Sequence, residues 1–283
     1  MANTVVSDLS LQLMRAGFRH LGPYAPDLAG RWACRLWFAT RRSPSPPREH
    51  NWRTQARVDR IEAGGRRLAR YQWGAPEDPA ILLIHGWNGR GLQLGGFAEP
   101  LVSAGFRAVA FDAPGHGDSP GKSTHIFDYA QAIQVMAETS GPLAGAIAHS
   151  FGVPAVARAL LQGLALPRLV AIAAPAEAEF LVQRFAKYLD IPATVIAAMH
   201  ARIERRFGMD IFLRLSTEVM LAEQNIPGLI IHDRSDRDVP ATHAARLLRA
   251  WQGAQLIYTE GLGHNRILRD AAVIARAVEF LQP

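Results

Sequence analysis

LAGAIAHSFGVPAV, residues 143–156, sets an apolar run (Leu143 to Ala148) against a polar corner, His149-Ser150-Phe151-Gly152, followed by a helix-forming segment from Val153 to Leu164. Read as a buried strand, a sharp turn and a helix, this stretch displays Ser150 above a sheet edge. Its hydroxyl is then clear of helix packing, and the new helix's N–H groups aim at whatever the serine attacks. Gly152 lets that helix start close against the neighbouring strands. Glycine is also usual two residues before such a serine, and here that place is held by Ala148. Alanine is the smallest residue with a Cβ, so the turn is expected to survive with tighter packing. A small-x-Ser-x-Gly match is common by chance, and its meaning rests on the surrounding chain.

On both sides strand-like and helix-like segments alternate. Ala56 to Ile61 and Arg67 to Trp73 alternate polar and apolar residues around Gly64-Gly65, a β-hairpin pattern. Ala80 to His85 (AILLIH) is continuously apolar, as in a strand covered on both faces. Leu92 to Ala104 reads as helix, Arg107 to Asp112 as strand, Phe127 to Ser140 as helix and Leu169 to Ala173 as strand. The rhythm stops between Ala176 and about Gln224, a helical run punctuated by Pro192 and Gly208. It resumes with strand Gly228 to His232, helix Ala241 to Trp251, strand Ala254 to Tyr258 and helix Asn265 to Phe280.

This pattern predicts an α/β fold, a mostly parallel eight-stranded sheet with helices on both faces. The interruption at about 176–224 is expected to be a small helical lid above the C-terminal edge of the strands, where ligands bind in such sheets. Residues 1 to about 42 read as two short amphipathic helices broken at Leu21-Gly22-Pro23. Leu9, Leu11, Leu13, Met14 and Phe18 lie on the first, and Leu28, Trp32, Leu36 and Trp37 on the second. Ser43-Pro44-Ser45-Pro46-Pro47 reads as a stiff extended linker. The expected division is an arm and linker at 1–47 and a main domain at 48–283. The arm is read as packing on that domain; the competing reading is an interfacial or dimer-forming arm.

Composition excludes several classes. The 283 residues are 49% hydrophobic and 20% charged, ordinary for a globular protein. No run approaches the roughly 20 apolar residues of a membrane span, and the N-terminus lacks a secretory layout. A cytoplasmic location without stable membrane insertion is therefore expected. The single cysteine, Cys34, fits a reducing compartment and reads as a small buried hydrophobe. The net charge is +6, and Lys122 and Lys187 are the sole lysines among 31 basic residues. The arginines are scattered, densest at Arg41-Arg42, Arg66-Arg67 and Arg202 to Arg206, without a nucleic-acid-binding signature. They read as a solvated surface, and no nucleic-acid partner is expected. There is no metal-ligand spacing and no dinucleotide fingerprint, so neither metal nor cofactor is expected.

In this order the motifs resemble the α/β-hydrolase fold family over about residues 55 to 283. The matching pieces are His85-Gly86-Trp87, Phe111-Asp112-Ala113-Pro114-Gly115-His116-Gly117-Asp118-Ser119, the Ser150 turn and the last two loops. The resemblance implies a nucleophile, acid and base in the order Ser, Asp or Glu, His. A serine hydroxyl needs a base within hydrogen-bond reach, itself oriented by a carboxylate. Among ten histidines, the family's base position falls on His264, in Gly261-Leu262-Gly263-His264. The acid position falls on Asp236 within HDRSDRDVP (232–240), with Asp238 as the alternative and Asp233 at the strand end. The oxyanion donors are expected at the backbone N–H of Phe151 and of Trp87, with Asn88 the alternative. Trp87, Asn88 and His149 are the substrate-contacting candidates. His85, His116 and His149 also sit in turns where they are expected to hold loops together. Residues 112–119 lack the lysine and spacing of a phosphate loop and read as a structural corner.

What the resemblance implies is hydrolysis of a small-molecule carboxylic ester through an acyl-enzyme, with a small to medium acyl group because the lid is short. Acyl transfer, perhydrolysis, amide cleavage and C–C hydrolysis use the same triad and stay open. A non-catalytic hydrolase-fold binding protein is the alternative of another class, and a homodimer is compatible with the chain.

Overall fold

The computed structural model describes residues 8–283. The chain forms two compact units: Thr40–Ala176 with Thr217–Pro283, and the segment ending at Ala39 with Glu177–Ser216. The larger unit holds one sheet. Its strands are β1 (Arg57–Ala63), β2 (Arg66–Trp73), β3 (Ala80–Ile84), β4 (Arg107–Phe111), β5 (Leu143–His149), β6 (Leu169–Ile172), β7 (Gly228–Asp233) and β8 (Ala254–Thr259). They lie in the order β1-β2-β4-β3-β5-β6-β7-β8. β1 and β2 are antiparallel to each other, β2 is antiparallel to β4, and every later pairing is parallel.

The sequence explains this arrangement strand by strand. Gly64 and Gly65 turn the hairpin with φ of +56° and +72°, which a Cβ would resist. β3, β4, β6 and β7 are buried along their whole length, which is why β3 and β6 read as unbroken apolar runs. One core cluster gathers Tyr71, Leu83, Ala110, Ile147, Ile172 and Ile231 from one face of the sheet together with Phe97. At about 25 cal/mol per Å² of apolar area removed from water, such a core is the main favourable term in holding the sheet.

Three elements differ from the expected reading. The extended linker ends at its last proline, and Pro47–Gln55 is a helix with proline at its first position, where a missing N–H costs nothing. It has no apolar stripe to betray it. Glu49 is buried and ion-paired to Arg90, and Trp52 lies so close over Gly95 that a Cβ there would come within 2.6 Å of the ring. The expected helix Leu92 to Ala104 is a 3₁₀ segment, Gly91–Phe97, running into a short α-helix, Ala98–Ser103. The expected helix Asn265 to Phe280 is split: a single turn Gly263–Arg266, a 3₁₀ turn, then Ala271–Leu281. Asp270 caps that last helix, accepting from the N–H groups of Ala272 and Val273.

The smaller unit is helical: Asp8–Leu21, Pro26–Phe38, Ala178–Leu189, Ala193–Phe207 and Ile211–Arg214. Helix Thr217–Ala222 belongs to the larger unit. Helices Pro26–Phe38 and Ala193–Phe207 approach so closely that a Cβ on Gly30 would lie 2.8 Å from the Cβ of Ala198. Phe18 is fully buried, stacked on Trp32 at 4.2 Å. The expected apolar faces are only partly used, since Leu9, Leu13 and Leu28 are 65%, 64% and 55% exposed. Small residues (Ala29, Gly30, Ala33) make the close contact instead. Among the described residues no helix is long and apolar enough to cross a membrane.

Candidate active site

The corner after β5 is built by crowding. Ser150 has φ of +52°, a left-handed conformation that costs a non-glycine residue of order 1 kcal/mol or more. It is held there by its N–H donating to Ile172 O at 2.9 Å and by Val153 N–H donating to Ser150 O at 3.0 Å. Glycine is required beside it. A Cβ on Gly86 would meet Ser150 Cβ at 2.9 Å, and one on Gly152 would meet the carbonyl oxygens of Ile84 and His85 at 2.8 Å. Ala148 causes no such conflict. It remains an ordinary strand residue between Ile84 and Ala171, and its methyl is buried.

His264 sits in the turn after β8, with Nε2 3.0 Å from Ser150 Oγ and Nδ1 2.7 Å from Asp236 Oδ2. The Asp236 side chain is fully buried, and its Oδ1 accepts from the N–H groups of Asp238 (2.7 Å) and Val239 (3.0 Å). Burial alone would raise its pKa. The hydrogen bond and charge of His264 and the two amides outweigh that, leaving it below the ordinary carboxylate value. Asp238, the alternative acid, is exposed and offers its backbone to Asp236. Donor atoms of Asp236, Asp238 and His264 lie within 4.8 Å of one another. Within that group Asp236 and His264 direct their atoms at each other in the 2.7 Å hydrogen bond.

Three further residues fix these loops. Asp233, at the end of β7, accepts from Ser235 N–H (3.0 Å) and Oγ (2.6 Å) through Oδ1, and from Thr259 Oγ1 (2.8 Å) and Leu262 N–H (2.9 Å) through Oδ2. It thereby ties the loop of Asp236 to the loop of His264. Burial opposes its charge, but these donors hold its pKa well below the usual range. His232 is buried and its Nε2–H donates to Val239 O at 2.8 Å, bracing the Asp236 turn from within. His149 is also buried. Its Nε2–H donates to the backbone oxygen of His264 at 2.9 Å, and the two rings lie 4.8 Å apart. Burial, with the nearby His264 charge, takes its pKa down to about 3, so it stays neutral. The Asp-x-Ser spacing at 233–235 is a local turn signal that marks Asp233 in the sequence; nothing comparable marks His232.

Across the corner, the rings of Trp87 and Phe151 meet edge to face at 5.0 Å. The N–H of Asn88 donates to His116 Nε2 at 3.0 Å, and its Oδ1 accepts from Arg41 N–H at 2.8 Å. Asn88 thus commits its N–H to the loop. His116 Nδ1–H donates to Pro114 O, and burial drives its pKa to about 4. His85 Nδ1–H is directed at Gly86 O and its Nε2 accepts from Ala113 N–H at 3.1 Å. Both histidines are neutral braces between the 85–91 and 112–119 loops. Within the second loop, buried Asp112 accepts from Gly91 N–H, Asp118 N–H and Tyr71 OH, and a Cβ on Gly117 would strike its carboxylate. That loop is a corner with its acceptors filled by its own chain.

A model of the alpha/beta hydrolase family matches residues 81–277, well over half of the chain, and that span contains every residue of this constellation. The chain belongs to the alpha/beta hydrolase family. The same fold recurs in solved structures, where this hydrolase resembles an esterase from Exiguobacterium antarcticum (15% identity, 80% of this chain and 100% of that one, TM-score 0.63). It also resembles a membrane phospholipase A described as a bacterial virulence factor (20% identity, 96% of each chain, TM-score 0.63). A third is a monoacylglycerol lipase of Paleococcus ferrophilus (24% identity, 76% of this chain and 98% of that one, TM-score 0.58). No curated protein matches the chain.

Proposed function

We propose that the protein is a serine hydrolase of carboxylic esters, with Ser150 as nucleophile, His264 as base and Asp236 as its orienting acid. The observation that carries this reading is the unbroken relay from Ser150 Oγ through the His264 ring to Asp236, at 3.0 and 2.7 Å. Ser150 Oγ bonds to the ester carbonyl carbon while its proton passes to His264 Nε2. The carbonyl oxygen becomes an oxyanion, taking hydrogen bonds from the N–H groups of Phe151 and Trp87, each worth about 3–4 kcal/mol of barrier. The carbon–oxygen bond to the alcohol then breaks, and the alcohol leaves with the proton from His264. Water repeats the cycle on the acyl-enzyme and returns the serine. Asp236 keeps Nδ1 protonated throughout and stabilises the imidazolium without taking its proton.

A small to medium acyl group is the substrate class favoured by the brevity of the insertion between β6 and β7. The test is release of p-nitrophenol from a C2 to C12 ester series by wild type and Ser150→Ala. The expected outcome is a rate that peaks below about ten carbons and falls about a million-fold in the variant, the usual cost of losing a triad serine. Equal traces from the two proteins would refute the assignment. A rate still rising at C12 would refute the acyl size while leaving the triad standing.

A further inference from the structure

The helical unit contains a cleft of about 300 Å³ that is walled by arginine and shares no residue with the triad. Arg31 and Arg35 stand one turn apart on helix Pro26–Phe38; Arg202 and Arg206 stand one turn apart on helix Ala193–Phe207. The two helices are locked together at Gly30 and Ala198, so the four side chains share one opening. Phe38 and Ile203 provide its apolar wall, and Arg206 lies over the Phe38 ring at 6.0 Å.

This arrangement is unfavourable on its own terms. Like charges four residues apart on a helix repel, and here two such pairs face one cleft. Among the described residues no carboxylate lies within salt-bridge distance of Arg31, Arg35, Arg202 or Arg206. Arg202 Nε is buried with no hydrogen-bond partner among them. Arg31, Arg35 and Arg206 are exposed and Arg202 is half-buried; three other half-buried or buried arginines, Arg70, Arg90 and Arg246, are each ion-paired, with Asp59, Glu49 and Glu218. Local rules broken in this way without internal compensation mark sites completed by something else.

We propose that this cleft binds a phosphate group carrying at least two negative charges, on a ligand whose apolar part rests against Phe38 and Ile203. Four guanidinium groups call for a multiply charged anion, and a single carboxylate would leave most of the repulsion in place. The planar fork of arginine matches phosphate oxygens two at a time, which lysine cannot do. The group comes from a soluble phosphate ester or diphosphate, or from the phosphomonoester headgroup of a lipid.

The test compares full-length wild type with R35Q/R202Q, using inorganic pyrophosphate as probe and sodium chloride at matched ionic strength as control. Wild type should melt several degrees higher in pyrophosphate than in the control, because a ligand that binds the folded state stabilises it. R35Q/R202Q should melt no lower than wild type without the anion, show no such rise, and bind pyrophosphate at least tenfold more weakly by calorimetry. Identical responses to pyrophosphate and sodium chloride, or identical affinity in the two proteins, would overturn the proposal. Should R35Q/R202Q fail to fold, R35K/R202K keeps the charge and removes the fork. Weaker pyrophosphate binding there supports the site, and unchanged binding refutes it. Sedimentation with phosphatidylcholine vesicles, with and without phosphatidic acid, separates the sources. Arginine-dependent capture by the acidic vesicles that pyrophosphate displaces assigns a lipid headgroup. Pyrophosphate binding without capture assigns a soluble ligand.

Discussion

At the residue scale, His149 fixes the backbone of His264, the proposed base. It precedes the nucleophile in the chain, yet its ring is turned to the backbone of His264. Removing it leaves a partly buried carbonyl unsatisfied, a loss of about 1–3 kcal/mol. His149→Ala is therefore expected to lower kcat about 10- to 100-fold with little change in KM. His149→Gln, whose amide can donate to the same oxygen, should recover part of kcat; equal losses in both variants would remove His149 from this role. The two candidate acids are separated in the same way. Asp236→Asn should cost about four orders of magnitude in kcat, as loss of the tautomer-fixing carboxylate does elsewhere. Asp238→Asn should stay within a few-fold, since Asp238 reaches the site through its backbone N–H. Ser150, Asp236 and His264, the proposed triad, stood out as candidates in the sequence because each sits in a motif of its own. Asp233 and His232 were not picked out, because the former's role depends on a loop 26 to 29 residues away and the latter's on burial.

At the element scale, the site is two loop ends stapled together by one carboxylate. Asp233 has its pKa depressed below the ordinary 3.8. A depressed carboxylate contributes stability that is complete above the unfolded value, about 4, and lost as pH falls through the folded value. Asp233→Asn should therefore narrow its deficit relative to wild type as pH drops below about 4, and at neutral pH it should melt lower and turn over more slowly. A deficit that stays constant from pH 7 to pH 3 would contradict the staple. The elements that the sequence hid are those without apolar periodicity. Pro47–Gln55 is fixed by a buried ion pair and one tryptophan, and the last helix is broken where Asp270 caps a new start. Strands β3 and β6 were readable because both their faces are covered, which leaves an unbroken apolar run, and β1 and β2 because their alternation flanks Gly64-Gly65.

At the scale of the whole molecule, opposite titrations are built into one fold. Asp112 is buried in the corner, and burial raises its pKa to about 6 despite three donors. A raised carboxylate favours the protonated form in the folded state, so its contribution is present below about pH 4 and lost as pH rises through about 6. Over that window wild type should lose up to about 3 kcal/mol relative to Asp112→Asn, since each tenfold change in proton affinity is worth about 1.4 kcal/mol. Denaturant melts at pH 4 and pH 7 read the difference, and a gap that does not change excludes the titration of Asp112. The division of the chain into a helical unit and a sheet unit has a consequence in time. The helical unit draws its first half from before Thr40 and its second from Glu177–Ser216. During synthesis the ribosome must therefore make the whole of Thr40–Ala176 before the partner helices exist, a wait on the order of ten seconds. Through that interval the faces bearing Phe18, Ala29 and Ala33 emerge without the surface that later buries them. The helical unit is thus completed only after Glu177–Ser216 has been made.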